Sequence, residues 1–415
     1  MAICSPLIMP FRSHLTHNLV QTSAFLFGAL CLAIPSGYSY GPVLLSIMSL
    51  FVFWRADYWL AMSREAKILF WIFIFYFMVQ AISISLDNGS LKELDRPSRA
   101  LMAAIILPLL SKHRVHLVSI MSGFALGAVI SGFIAIYDKI YIGMERAFGD
   151  GMPIQSGNIS MTLGLFCLCA YFWHRENNEY VFSKIMLAAC LMGMLGSFLS
   201  GTRGGWVLLP VIITTIVMHY QRSGRRYLLW VFTCIVIGGF GIISTPQTGV
   251  LDRIKTAKSD IVQFIDGENP DTSLGIRFQL WSSAWDAFQK KPIFGWGNNG
   301  IRQIHKQQLE QGKISEFIYN FNYHAHNQFL DEMAKRGIIG LFALCLVYIY
   351  PISVFYKYKK SLSMKYILMA VASLTLIDYS LSQAFISHNS GIVFFFVCFS
   401  LLITSLNEPY KEEKV

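Results

Sequence analysis

The sequence predicts an all-α polytopic membrane protein with about twelve transmembrane helices and one large, largely helical extramembrane loop. Three observations predict it. Hydrophobic residues make up 54% of the chain and charged residues only 14%, a balance outside the range of soluble globular proteins. Apolar runs of roughly twenty residues, the length that crosses a hydrocarbon core, recur along the chain. The one long stretch of mixed polar sequence lies at 245–336.

The apolar windows fall near 18–36, 42–62, 66–86, 99–111, 115–137, 156–173, 185–201, 205–220 and 227–244, and then near 337–356, 365–386 and 389–406. The window at 99–111 is short, and the one at 42–62 contains the polar interruption "WRADYW". An even number of spans puts both termini on one face. Lys and Arg are retained in the cytoplasm during insertion, and the segments 1–17, 55–67, 111–114, 174–184, 221–226, 357–365 and 407–414 hold 17 of the 34 such residues. The short connections on the other face, 87–99, 138–155, 201–204 and 387–389, hold six. The expected topology therefore has cytoplasmic termini and an outward-facing loop, dividing the chain into an N-terminal bundle (1–244), the loop (245–336) and a C-terminal bundle with its tail (337–415).

The formal charge of +10 is spread through short cytoplasmic connections, where topology and anionic headgroups account for it, so the expected surroundings are membrane lipids and not nucleic acid. Cys31, Cys167, Cys169, Cys190, Cys234, Cys345 and Cys398 fall in apolar spans and Cys4 in the N-terminal tail, while the loop has no cysteine. Neither a disulfide framework nor a thiolate metal site is expected. The first span reads as an uncleaved anchor.

Within the loop, Phe278, Trp281, Trp285 and Phe288 recur at helical spacing until Pro292, predicting an amphipathic helix that lies on the membrane or on the mouth of the bundle. "FGWGNNG" reads as turn. "HNQFLDEMAKRG" predicts a second helix capped by Asn327, with Phe329, Met333 and Ile338 along its apolar face and Gly337 at its end.

Several residues stand out as carriers of chemistry. His324 and His326 flank Ala325 at a helix start, where a partial positive charge favours an anion and holds an imidazole neutral; an ordinary loop role, bonded to water or a carbonyl, fits them too. Arg203 in "SGTRGGW" and Arg277 in "SLGIRF" have little to pack against and carry the planar fork of donors that grips phosphate, although an interfacial anchor or a solvated helix face is as good a reading. Asp378 is a carboxylate within an apolar span, where such groups face a partner or a cavity. It either orients His326 or an arginine, or makes a structural bond between helices. The "HAH" spacing invites a metal test, but no Asp-x-Asp pair accompanies it and the arginines supply the same neutralisation, so no metal or other cofactor is expected.

These residues carry a resemblance. "HNQFLDEMAKRGIIG" fits a histidine-asparagine, nine residues, glycine, two residues, glycine pattern that resembles the O-antigen ligase family, and the order of "TRGG", "DRIK", "TSLGIRFQLW" and "KPIFGWG" before it is similar to that family as well. The resemblance implies a glycosyltransferase architecture of the GT-C-like membrane type in the bacterial inner membrane, with the loop periplasmic. It implies an inverting transfer of O-antigen polysaccharide from undecaprenyl pyrophosphate to a sugar hydroxyl of the lipid A-core. It also implies His326 as general base and Arg203 and Arg277 as catalytic contacts to the pyrophosphate. Arg253, His324, Asn327 and Asp378 are expected at the substrates. Within the same superfamily, an O-antigen polymerase or a protein O-oligosaccharyltransferase remains open. A transporter of lipid-linked sugar is disfavoured, because the polar residues gather in one asymmetric loop and no repeated halves are visible.

Overall fold

The computed structural model describes residues 8–406, apart from 150, 203, 221–249, 322–323 and 362. Sixteen α-helices lie among the described residues. In chain order they are α1 (Ile8–Leu30), α2 (Tyr40–Val52), α3 (Ala56–Leu60), α4 (Arg64–Leu86), α5 (Ser98–Lys112), α6 (Leu117–Ile136), α7 (Pro153–Glu176), α8 (Tyr180–Leu199) and α9 (Leu209–Tyr220). After 221–249 come α10 (Val250–Ile265), α11 (Ser273–Lys290), α12 (Gly297–Glu310), α13 (Glu316–Phe321), α14 (Gln328–Tyr358), α15 (Met364–Ser382) and α16 (Asn389–Thr404).

The protein is a polytopic, all-helical membrane protein. Five helical segments among the described residues are long and apolar enough to cross a bilayer: Arg64–Leu86, Leu117–Tyr141, Tyr180–Leu199, Gln328–Ser361 and Met364–Ser382. Shorter apolar helices occur at Gly37–Val52, Leu209–Tyr220 and Asn389–Thr404. The expected windows at 18–36, 99–111 and 156–173 coincide with α1, α5 and α7. Helix α5 has only 15 residues, and α7 buries Gln155, Asn158, Ser160 and Thr162. The window at 227–244 lies outside the described residues. The window at 42–62 is not one helix: α2 ends at Val52, Arg55 is extended, and α3 restarts at Ala56. Its polar interruption favours an Arg55–Asp57 ion pair at 3.1 Å over continued helix.

Small residues and buried hydroxyls hold the bundle together, as expected where lipid removes the hydrophobic drive for helix association. A Cβ on Gly193 would lie 2.8 Å from the Gly164 nitrogen, so α7 and α8 meet backbone to backbone. The Ser131 and Ser160 hydroxyls lie 2.8 Å apart, and Ser160 donates on to the Gly193 carbonyl. Tyr379 of α15 donates to the Asn158 carbonyl at 2.8 Å.

The loop helices form a cap at one end of this bundle. Ala284 and Ala287 of α11, Ile301 and Ile304 of α12, Ala325 and Ala334 make a small separate core, and Ser283 donates to the Gln308 side chain at 2.6 Å. The aromatic stripe of α11 is half-buried or exposed, with Trp285 47% exposed. Alanine and serine face inward because close approach to α12 and α14 leaves no room for rings.

Helix α14 turns its charges inward. Ile338 is exposed, whereas Asp331, Glu332, Lys335 and Arg336 are buried in pairs, Lys335 to Asp331 at 2.8 Å and Arg336 to Glu332 at 3.2 Å. In a membrane protein the apolar side can face outward, and charges go inside provided that they are paired.

At Gly337 the helix breaks, with φ 62° and ψ −155°. Amide groups freed by the break are taken up by the turn at 292–296: Ile338 N donates to the Pro292 carbonyl at 2.8 Å, and Trp296 N donates to the Ala334 carbonyl at 3.0 Å. The "KPIFGWG" turn and the glycine of the histidine motif are thus two halves of one joint.

Candidate functional site

The site is built where the His324–Asn327 turn meets the end of α15. Asn327 caps α14, its Oδ1 accepting from Phe329 N at 3.0 Å and Leu330 N at 3.2 Å, while its Nδ2 donates to the Leu381 carbonyl. Both ends of this amide are engaged by the chain, so the side chain holds the turn, and the Phe329 and Leu330 amides are capped by it. Asp331 accepts from Ala325 N at 3.0 Å from the other side. Clamped between them, His326 sits in the left-handed region at φ 47°, a conformation that costs a non-glycine residue free energy and persists only where the surroundings enforce it.

Gln383, the residue that ends α15, fixes the imidazole. Its Oε1 lies 2.8 Å from His326 Nδ1, and its Nε2 lies 3.3 Å from His388 Nε2. An amide oxygen only accepts, so His326 Nδ1 carries the proton and Nε2 keeps its lone pair. The amide N–H in turn places the lone pair of His388 on Nε2. His324 stacks edge-on against His326, ring centroids 4.3 Å apart, and accepts from His326 N at 3.4 Å. Gln383 and His388 drew no attention in the sequence, since neither belongs to a motif and their pairing with His326 spans more than fifty residues.

Burial holds these rings neutral. It lowers the pKa of His326, with the Arg277 charge acting in the same direction and the Gln383 bond against it. It takes His324 down to about 4, helped by His326, and His388 down to about 4, helped by Arg96 and His326.

Arg277 stands in the second turn of α11, half-buried, near enough to His326 for its charge to oppose protonation there. It has no ion-pair partner among the described residues. Arg203 lies outside the described residues, but its neighbours in the chain are packed against α15. A Cβ on Gly204 would lie 2.5 Å from Ser382 Oγ and one on Gly205 2.6 Å from the Tyr379 ring. Asp378 accepts from Leu208 N at 3.0 Å and is fully buried. The carboxylate therefore ties the segment after Arg203 to α15, the structural bond that was one of its possible roles, while His326 is bonded by Gln383. Arg253 lies in α10, and its side chain is outside the described residues. No set of three His, Cys, Asp or Glu among the described residues is arranged to hold a metal ion.

A family model described as O-antigen ligase matches residues 186–345, from the start of α8 into α14, a span that contains the "TRGG" turn, Arg277 and the histidine turn. The chain is also 21% identical over 257 residues to the O-antigen ligase of Escherichia coli K12, covering 61% of this chain and 60% of that protein. Residues 186–345 thus carry an O-antigen ligase domain, and the chain is a distant homologue of that ligase. An uncharacterized protein of Haemophilus influenzae is 33% identical over 396 residues, which is 94% of this chain and 99% of that protein. The family match ends before α15, so Gln383, His388 and Asp378 all lie beyond it, on the helices that complete the site from the C-terminal side.

Proposed function

We propose that this protein is an inverting, metal-independent glycosyltransferase that ligates O-antigen polysaccharide from undecaprenyl pyrophosphate onto a sugar hydroxyl of the lipid A-core. The observation that carries the reading is the neutral imidazole of His326, its tautomer set by Gln383, beside the guanidinium of Arg277, which has no ion-pair partner among the described residues. An alcohol is a poor nucleophile at neutral pH, and a positioned base contributes about 10²–10⁴-fold. His326 Nε2 takes the hydroxyl proton as the oxygen attacks the anomeric carbon. The bond from that carbon to the pyrophosphate oxygen breaks on the opposite face, its electron pair leaving with the pyrophosphate. Attack and departure on opposite faces invert the configuration. Arg277 and Arg203 stabilise the charge that grows on the leaving group, where one such donor is worth roughly 10²–10³-fold. Arg253 is assigned a supporting phosphate contact and His324 a contact to substrate, while Asn327 and Asp378 act by holding the turns that carry these groups.

The same reading takes the chain as a GT-C-like bundle of about twelve spans, in the bacterial inner membrane with both termini cytoplasmic. Its three parts are the bundle 1–244, the periplasmic loop 245–336 and the C-terminal helices 337–415.

The test is reconstitution with a labelled lipid-linked glycan and, separately, core lipid, a second lipid-linked glycan or an acceptor protein. Label in core lipid is expected, and its loss in His326→Ala with donor accumulating. Label only in the second glycan makes the protein a polymerase, label only in protein makes it a protein glycosyltransferase, and label in none overturns the enzyme reading.

A further inference from the structure

A cavity of about 750 Å³ opens on the far side of the histidine turn, lined by His324 but by neither His326 nor Arg277. We propose that it seats the acceptor and selects a saccharide bearing an anionic group, a phosphate or a carboxylate. This rests on the glycosyltransferase reading and names the group by which the acceptor is recognised, which that reading leaves open.

The volume lies within the range of small-molecule sites, and the wall chemistry suits an acidic sugar. Every carboxylate in the lining is engaged. Glu93 accepts from Ser90 N at 3.0 Å and from Asn298, Asp95 pairs with Arg99 at 2.7 Å, Asp331 with Lys335, and Glu332 with Arg336 and Gln80. Lys92 and Arg96 line the same cavity with no ion-pair partner among the described residues. Scattered on a convex surface these charges would be screened; gathered in a concave wall, they focus the field on what enters.

Their position is fixed. Asp87 accepts from Gly300 N at 3.0 Å and from Asn299 N at the start of α12, which pins the segment carrying Lys92 and Arg96 to the loop helices. His324, which lines the cavity together with Arg96, stacks on His326 with ring centroids 4.3 Å apart. A saccharide held at Arg96 would thus lie one imidazole away from the proton-accepting residue. Arg277 does not line this cavity, leaving donor pyrophosphate and acceptor anion with separate cationic partners.

The experiment measures binding of a fluorescent tetraglucoside carrying one phosphate, and of its unphosphorylated twin, to the purified full chain in phosphatidylcholine nanodiscs. The phosphorylated glycan should bind about tenfold tighter or more, the worth of one charge-assisted contact. The preference should vanish in Lys92→Gln/Arg96→Gln while undecaprenyl pyrophosphate still binds, which also shows that the variant is folded. It should survive in His326→Ala, so that failure of the base assignment and failure of this pocket are read separately. Equal binding of the two glycans, or a preference that persists in the double variant, overturns the proposal. So does displacement of the glycan by phosphatidylglycerol in the disc, which assigns the cavity to a lipid headgroup, or by undecaprenyl pyrophosphate, which assigns it to the donor.

Discussion

The side-chain oxygen of Gln383 lies 2.8 Å from Nδ1 of His326, and this one contact decides which imidazole nitrogen is free to take a proton. Replacing Gln383 by leucine should lower kcat, by less than the roughly 10²–10⁴-fold attributed to a base itself, with KM for donor little changed. Gln383→Glu keeps an acceptor at Nδ1 but adds a negative charge, which favours the imidazolium. Its activity should return near pH 8 and fall at neutral pH. A pH–rate profile identical to wild type in Gln383→Glu would refute the orientation role.

Arg277 offers a second pH test. A base works deprotonated, so activity rises with pH through the pKa of His326, which lies below the usual histidine value because of burial and the Arg277 charge. Wild-type activity should therefore hold below pH 6.5, the ordinary value for histidine. Arg277→Gln removes the repelling charge and should move the acid limb to higher pH while lowering kcat about 10²–10³-fold. Arg277→Lys should keep the limb in place and still lose rate, since a point charge cannot reproduce the fork.

Gly337 tests the joint. A Cβ there would lie 2.4 Å from the Ile293 backbone, at a φ that only glycine adopts readily. Gly337→Ala should destabilise the protein by at least ~1–3 kcal/mol, read as a lower Tm in detergent. Gly295, whose Cβ would lie 2.4 Å from Arg336 N, belongs to the same joint. The Gly295→Ala/Gly337→Ala double variant should lose less than the two single losses combined.

His324 and His388 predict acid sensitivity. Their pKa values of about 4 in the folded protein lie below the unfolded value near 6.5. Between these limits the unfolded chain binds more protons, so stability falls as the pH drops from 6.5 and the loss is complete below about 4. Hydrogen exchange of the segments around 324–330 and 383–390 should quicken between pH 7 and pH 5 more than that of α7 and α8. Equal acceleration across the protein would count against it.

Much of this was legible in the chain. Most of the apolar windows among the described residues find their helices, the one at 42–62 excepted, because a span must be largely apolar along its length, whatever it packs against. Asn327 reads as a cap and Gly337 as an end because both follow from local backbone chemistry. What α11 and α14 pack against was not legible: periodicity locates an apolar stripe but not what lies opposite it. Gln383 and His388 left no sign at all, since their meaning comes from a fold that returns α15 to a turn more than fifty residues earlier.

The sequence by itself thus determined the helices, the polar loop between them and the residue types capable of acid–base and phosphate chemistry, because these depend on composition and near neighbours along the chain. Only the tertiary structure decided which nitrogen of His326 is free, which charges are buried in pairs and which stand open to a ligand. Those outcomes are set by contacts between distant segments, where a few ångströms separate a neutralised charge from an available one.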